Sequence, residues 1–185
     1  MKKENIPNIL TIIRFILIPF IFTSVVNNDY LVALIIFTIS AITDVLDGYI
    51  ARKYNYITDL GKLIDPLADK LTQVSLLLSL SILGILPCWI FAIVFIKECV
   101  MVISASLLYK RKDVVVYSKW YGKLATVLFY LAIVVSLIVN QFHVQMPFRI
   151  DLYLYYLAIL ATIFSLIMYS IKFKIKKEMW KFCEF

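Results

Sequence analysis

Six apolar segments follow one another along the chain with few residues between them: 8–27, 30–51, 63–84, 86–109, 119–139 and 151–172. A bilayer core takes about 20 apolar residues per helical span, and each run reaches roughly that length. In hydrocarbon the backbone can bond only to itself, which leaves helices or closed barrels. No run alternates with a period of two, so helices are predicted. The expected fold is an all-α integral membrane protein with six transmembrane helices, read as a single domain over residues 1–185. Composition agrees: 63% of residues are hydrophobic, 17% are charged and mean hydropathy is +0.91. A soluble domain averages about 45–50% apolar and about 25% charged, so a soluble fold and a disordered chain are both excluded. Residues 1–27 carry Arg14 within a long apolar run and lack a small-residue cleavage site, so they read as a retained first span.

The net charge is +7. Fifteen of the nineteen Lys and Arg residues fall on one side if the N-terminus is cytoplasmic, and only Arg149 falls on the other. This bias predicts both termini in the cytoplasm of a cell-membrane protein. It also assigns the positive charge to anionic lipid and topology, with no nucleic-acid partner. Asn27-Asn28-Asp29, Leu83-Gly84-Ile85 and the 140–150 segment become outer turns. Cys88, Cys99 and Cys183 are scattered, and His143 is the sole histidine, so neither a disulfide framework nor a zinc site is expected. Trp89, Trp120, Tyr121, Tyr153, Tyr155 and Tyr156 read as headgroup anchors.

Against this apolar background, residues 43–70 stand out: TDVLDGYIARKYNYITDLGKLIDPLADK. Asp44 and Asp47 lie three apart near the inner end of the second span. Asp65 and Asp69 lie four apart near the inner start of the third. Such spacings put each pair on one helical face. A carboxylate inside the membrane costs about 2.5–3.5 kcal/mol on insertion scales, so four facing lipid are untenable. Four facing one another repel unless a cation neutralises them. Oxygen donors without Cys or His favour Mg²⁺, Mn²⁺ or Ca²⁺, and four carboxylates can hold two ions. Paired ions suit in-line displacement at phosphorus. Gly48, Ala51 and Gly61 are small enough to let a ligand or a neighbouring helix approach the backbone.

The pattern Asp44-x2-Asp47-Gly48-x2-Ala51-Arg52-x8-Gly61-x3-Asp65-x3-Asp69 resembles the signature of CDP-alcohol phosphotransferases at every position. The opening Ile6-Pro7-Asn8-Ile9-Leu10-Thr11-Ile12-Ile13-Arg14 resembles members of that family that make phosphatidylglycerophosphate, and related members that make cardiolipin. The resemblance implies a six-helix homodimer that takes CDP-diacylglycerol, releases CMP and uses Mg²⁺ or Mn²⁺, with two ions expected. It implies that Asp44, Asp47, Asp65 and Asp69 hold the metal and that Asp69 is also the general base for the acceptor hydroxyl. Gly48, Ala51, Arg52 and Gly61 would contact the CDP portion.

The acceptor is expected to be glycerol 3-phosphate, with phosphatidylglycerol as the alternative. Arg14, Lys97 and Lys123 are the candidate acceptor cations. Relatives with the first specificity carry Ala-Arg-Glu in the fourth span with a second Arg eight residues on, and Gly-Lys-x-Lys-Thr at the fifth. Here Lys97-Glu98, Ala105 and Gly122-Lys123-Leu124-Ala125-Thr126 occupy those places, which weakens a bidentate grip on a phosphate monoester. Arg14 could equally snorkel, and Lys70 is expected to snorkel or to screen the acidic cluster. A membrane cation carrier is the reading from a different class. It fits poorly, because the acids sit near one face and no inverted repeat is visible.

Overall fold

The computed structural model describes the backbone of residues 6–54, 59–109, 120–144 and 149–182. Within these helices, the side chains of 6–8, 51–52, 59–63, 66, 101–109, 120–121, 166–167 and 169–182 lie outside the described residues. Every regular element among the described residues is helical: α1 (Ile6–Val26), α2 (Tyr30–Tyr54), α3 (Asp59–Ile82), α4 (Cys88–Tyr109), α5 (Trp120–Gln141) and α6 (Ile150–Phe182). These are the six predicted segments in order. The main departure is α6, which continues ten residues past the apolar run ending at 172. The extension contains neither Gly nor Pro and is rich in Lys, a good helix former.

Among the described residues, three helices are long and apolar enough to cross a membrane, over Ile9–Val26, Tyr30–Ile50 and Gly122–Gln141, and Ile150–Ser165 is a shorter apolar stretch. The first half of α3 carries Asp59, Lys62, Asp65, Asp69 and Lys70, which breaks its apolar character.

The chain divides into two compact units. The first comprises Met1–Lys112 with Ile133–Gln145. Within it α1 packs on both α2 and α3, and α3 packs on α4. Ile21, Val25, Ala33, Phe37, Leu76, Leu77, Leu80, Ile90 and Val94 are buried there. So are Thr11, Arg14, Ser40, Asp47, Thr72, Gln73, Ser79 and Glu98, while Ile12, Ile16, Phe20, Ile35, Ile42 and Val45 are exposed. Polar groups inside and large apolar groups outside suit lipid as the surrounding solvent. Some buried hydroxyls bond within their own helices, Thr72 Oγ1 donating to Ala68 O at 2.9 Å and Ser79 Oγ to Leu76 O at 2.8 Å.

In the second unit, Asp113–Ala132 with Met146–Phe185, Ala125, Phe129, Ala132, Tyr155, Ala158 and Ile159 are buried. Arg149 pairs with Asp151 at 3.0 Å in the first turn of α6, where a carboxylate also suits the helix dipole. Of the aromatics read as headgroup anchors, Tyr153, Tyr156 and Trp89 are exposed and Tyr155 is fully buried, while the side chains of Trp120 and Tyr121 lie outside the described residues. Two residues turn the helix about 200°, so Tyr155 faces away from Tyr153.

Three helices end in the same way. After α1, Asn28 has φ 65°; after α3, Gly84 has φ 70°; after α5, His143 has φ 47°. In each case this residue bonds back three residues and its successor bonds back five: Asn28 N to Val25 O and Asp29 N to Ser24 O, Gly84 N to Ser81 O and Ile85 N to Leu80 O, His143 N to Asn140 O and Val144 N to Val139 O. This is the Schellman ending, which satisfies orphan carbonyls and reverses the chain within a few residues. All three lie in the turns predicted from sequence. Gln141 Oε1 then accepts the Leu31 N–H at 2.8 Å and caps the start of α2.

A Cβ at Gly84 would meet nothing within 4 Å, so a side chain there costs only backbone strain. Gly84→Ala is expected to lower stability by about 1–2 kcal/mol while leaving the polar interior intact. A modest fall in the detergent unfolding midpoint with unchanged helical circular dichroism would meet this expectation.

Candidate functional site

The apolar faces of α1 hold it against α2 and α3 together, and this sets the position of its two buried polar groups, Thr11 and Arg14, one turn apart. The Arg14 guanidinium enters the space between Asp44 and Asp47 of α2 and Asp65 and Asp69 of α3. Nη1 donates to Asp44 Oδ1 at 2.5 Å and to Asp69 Oδ1 at 2.7 Å. Nη2 donates to Asp47 Oδ2 at 2.5 Å and stands 3.6 Å from Asp65 Oδ1. Each terminal nitrogen therefore joins one carboxylate of α2 to one of α3. Thr11 Oγ1 donates to Asp65 Oδ1 at 2.5 Å.

The site has a floor and a rim. Arg14 is 1% exposed and the Asp47 side chain 4%, whereas those of Asp44, Asp65 and Asp69 are 39–40% exposed. With all four carboxylates ionised, one guanidinium leaves a formal charge of −3. Charge-assisted bonds of this kind each contribute about 1.5–3 kcal/mol. Arg14 Nε is buried without a hydrogen-bond partner.

Sequence spacing alone brings the four aspartates onto two helical faces, and the structure brings those faces together. It does not carry the part played by Arg14. Placed among the candidates for acceptor binding or snorkelling, Arg14 instead lies at the centre of the carboxylates, and Thr11 was not singled out. The signal was available in the Thr-x2-Arg spacing, which puts a hydroxyl and a guanidinium on one face of an otherwise apolar helix.

A second ionic group lies between α3 and α4. Glu98 is buried; its Oε1 stands 2.5 Å from Lys97 Nζ and accepts from Lys70 Nζ at 3.2 Å, and its Oε2 stands 3.1 Å from Lys70 Nζ. Lys70 thus pairs with Glu98, and its charge also acts on the adjacent Asp69, as the expected screening requires. Lys97 carries a carboxylate beside it, and Gln73, one turn beyond Asp69, is fully buried with neither amide atom hydrogen-bonded. Lys123 is exposed on the first turn of α5, in the second unit. Gly48 follows Asp47 on α2. Ala51 and Arg52 lie in the last turn of that helix and Gly61 in the first turn of α3, but their side-chain surroundings lie outside the described residues.

The donor set suits a hard divalent ion: four carboxylates, with no nitrogen or sulfur among them. The geometry is set by the guanidinium instead. Among the described residues no three acidic, imidazole or thiol groups stand in a metal-holding arrangement. A bound cation of a different kind, Arg14, already draws the four together.

In helices of membrane character, two pairs of aspartates from neighbouring helices thus stand around one buried guanidinium. The sequence model for CDP-alcohol phosphatidyltransferase matches residues 4–170, and the chain belongs to that family. The match runs through both compact units. Members of the family generally use divalent metal ions. The chain is 36% identical over 143 residues to a CDP-diacylglycerol–glycerol-3-phosphate 3-phosphatidyltransferase of Aquifex aeolicus, covering 76% of this chain and 80% of the relative. It is 34% identical over 144 residues to a probable phosphatidylglycerophosphate synthase of Mycobacterium tuberculosis, covering 75% and 67% respectively. A probable CMP-forming cardiolipin synthase of Drosophila melanogaster is 39% identical over 101 residues, 52% of this chain and 31% of that one.

Glu98→Ala would leave Lys70 and Lys97 in a buried setting without their shared carboxylate. Breaking a buried pair from one side costs about 3–5 kcal/mol. The variant is expected to unfold at a markedly lower temperature in detergent, and a midpoint unchanged from wild type would refute the assignment.

Proposed function

We propose that this chain transfers the phosphatidyl group of CDP-diacylglycerol to glycerol 3-phosphate, forming phosphatidylglycerophosphate and releasing CMP. The observation that carries this reading is the convergence of Asp44, Asp47, Asp65 and Asp69 on one guanidinium. It gathers in space the residues that the family pattern requires together. The names of the Aquifex and Mycobacterium relatives support glycerol 3-phosphate as acceptor.

In the reaction, an acceptor hydroxyl oxygen bonds to the phosphorus that carries diacylglycerol, and the bond from that phosphorus to CMP breaks. Asp69 takes the hydroxyl proton; its partly exposed carboxylate is open to a substrate arriving from the rim. Asp44, Asp47, Asp65 and Asp69 would hold Mg²⁺ or Mn²⁺, as two ions, which would supply charge stabilisation at the phosphates. Gly48, Ala51, Arg52 and Gly61 receive the CDP portion. Arg52 offsets phosphate charge. Lys97 and, once withdrawn from the carboxylates, Arg14 supply positive charge for the acceptor phosphate, and Lys123 is the further candidate that the family pattern adds.

The protein is a homodimer in the cell (inner) membrane with six spans and cytoplasmic termini. The asymmetry of Lys and Arg supports this topology. So do the three abrupt turns at Asn28, Gly84 and His143, which suit one outer face. The aspartates then lie near the cytoplasmic surface, where a lipid donor and a water-soluble acceptor meet.

The deciding assay combines purified protein, CDP-diacylglycerol and Mg²⁺ or Mn²⁺ with glycerol 3-phosphate or phosphatidylglycerol, and identifies the lipid made. Phosphatidylglycerophosphate and CMP are expected, and excess chelator should abolish both. Predominant cardiolipin would move the acceptor to phosphatidylglycerol, a reading the Drosophila relative favours. No CMP from either acceptor would overturn the transferase and return the cation carrier.

Asp69→Asn retains the size of the side chain but cannot take the proton. Its turnover number is expected to fall by at least about two orders of magnitude. Retention of CDP-diacylglycerol, measured by equilibrium binding, should suffer far less.

A further inference from the structure

Arg14 takes oxygens from both helices of the carboxylate cluster, and from its deepest member above all. Asp47 is almost fully buried, and its Oδ2 accepts from Arg14 Nη2 at 2.5 Å. The other nitrogen spans Asp44 and Asp69. One oxygen each of Asp44, Asp47 and Asp69 is thus engaged by a fixed positive charge. A guanidinium is always charged at physiological pH, so protonation offers no way to release it.

Sharing the cluster is unfavourable. An ion seated among these four carboxylates would stand within a few ångströms of the guanidinium, with little water between to screen the repulsion. The rim offers an entry route, since Asp44, Asp65 and Asp69 are each about two-fifths exposed above a buried Arg14. A cation can first meet these groups and then draw Asp47 away from the guanidinium.

We propose that Arg14 is an internal competitor of the divalent ion: the guanidinium and the ion hold Asp47 and its neighbours alternately, so that Arg14 sets the ion concentration at which the site fills. This rests on the reading that the four aspartates hold the metal. Two roles follow. With Arg14 seated, the cluster keeps one compensating charge and α1, α2 and α3 stay joined. With an ion seated, the bridge from α1 is released, so filling the site loosens the attachment of α1 to the carboxylates.

The test measures Mn²⁺ binding to the full chain in detergent, following free Mn²⁺ by electron paramagnetic resonance. No substrate is present. Arg14→Gln is expected to bind Mn²⁺ at least tenfold more tightly than wild type, equivalent to about 1.4 kcal/mol. Arg14→Lys, with one nitrogen in place of a bridging pair, should fall between them. Thermal unfolding gives a second readout: the Arg14→Gln midpoint should be lower than wild type in chelator and should rise more steeply with Mn²⁺. If Arg14→Gln is too unstable in chelator, it is purified in Mn²⁺, and the binding order is read from that protein and Arg14→Lys. Equal or weaker Mn²⁺ binding in the variants would overturn the competition, because Arg14 would then be neutral toward the ion or would support it. Failure of wild type and both variants alike to bind Mn²⁺ would instead remove the metal reading on which the proposal stands. Asp65→Asn separates the two failures further, since it should weaken Mn²⁺ binding if the aspartates are ligands, whatever Arg14 does.

Discussion

A single guanidinium holding four carboxylates from two other helices is the contact on which the organisation of the first unit depends. The surfaces of α1, α2 and α3 that face outward are apolar, and lipid does not drive apolar helices together as water would. Helix association in that medium needs close packing and polar bonds. Arg14 supplies bonds to both neighbours of α1 at once, and Thr11 adds another to Asp65. The interior polarity of the unit is therefore part of its assembly as well as its chemistry.

The same contact explains how reactive groups can be stored in a nonpolar setting. Four ionised carboxylates with no counter-charge would be untenable at this depth. One guanidinium lowers the deficit without removing it, and a residual negative charge continues to attract cations. The nearby Lys70–Glu98–Lys97 group keeps its own balance, with two ammonium groups around one buried carboxylate. Two ionic centres thus lie along α3, and Lys70, paired with Glu98 and next to Asp69, carries charge that acts on both.

Much of the architecture was legible in the sequence, because the length of an apolar run and the period of a helix are local properties. Helix order, the three turns and the spacing of Asp44, Asp47, Asp65 and Asp69 all follow from neighbours within a few residues. What was not legible depends on which helix faces which. Arg14 precedes Asp44 by thirty residues and Asp69 by fifty-five, and no periodicity says that α1 lies between the two carboxylate pairs. Lys97 and Glu98 were recognisable as a pair because they are adjacent, whereas Lys70 joined them only through the packing of α3 on α4. Tyr155 was misread with its neighbours for a related reason: an aromatic cluster in sequence is split between opposite faces once the helix turns.

The bridge at Arg14 also bears on how the chain is made. The apolar stretches of α1 and α2 are both hydrophobic enough to enter a bilayer on their own, yet each brings charge that has no partner until another helix arrives. Arg14 emerges from the ribosome before Asp44, and both precede Asp65 and Asp69. During synthesis Arg14 must therefore wait for α2 to bring Asp44 and Asp47, and Asp65 and Asp69 can join only once α3 is available. The ionic cluster closes only when the third helix has been delivered, which makes α1 to α3 the smallest length of nascent chain that holds all of its members.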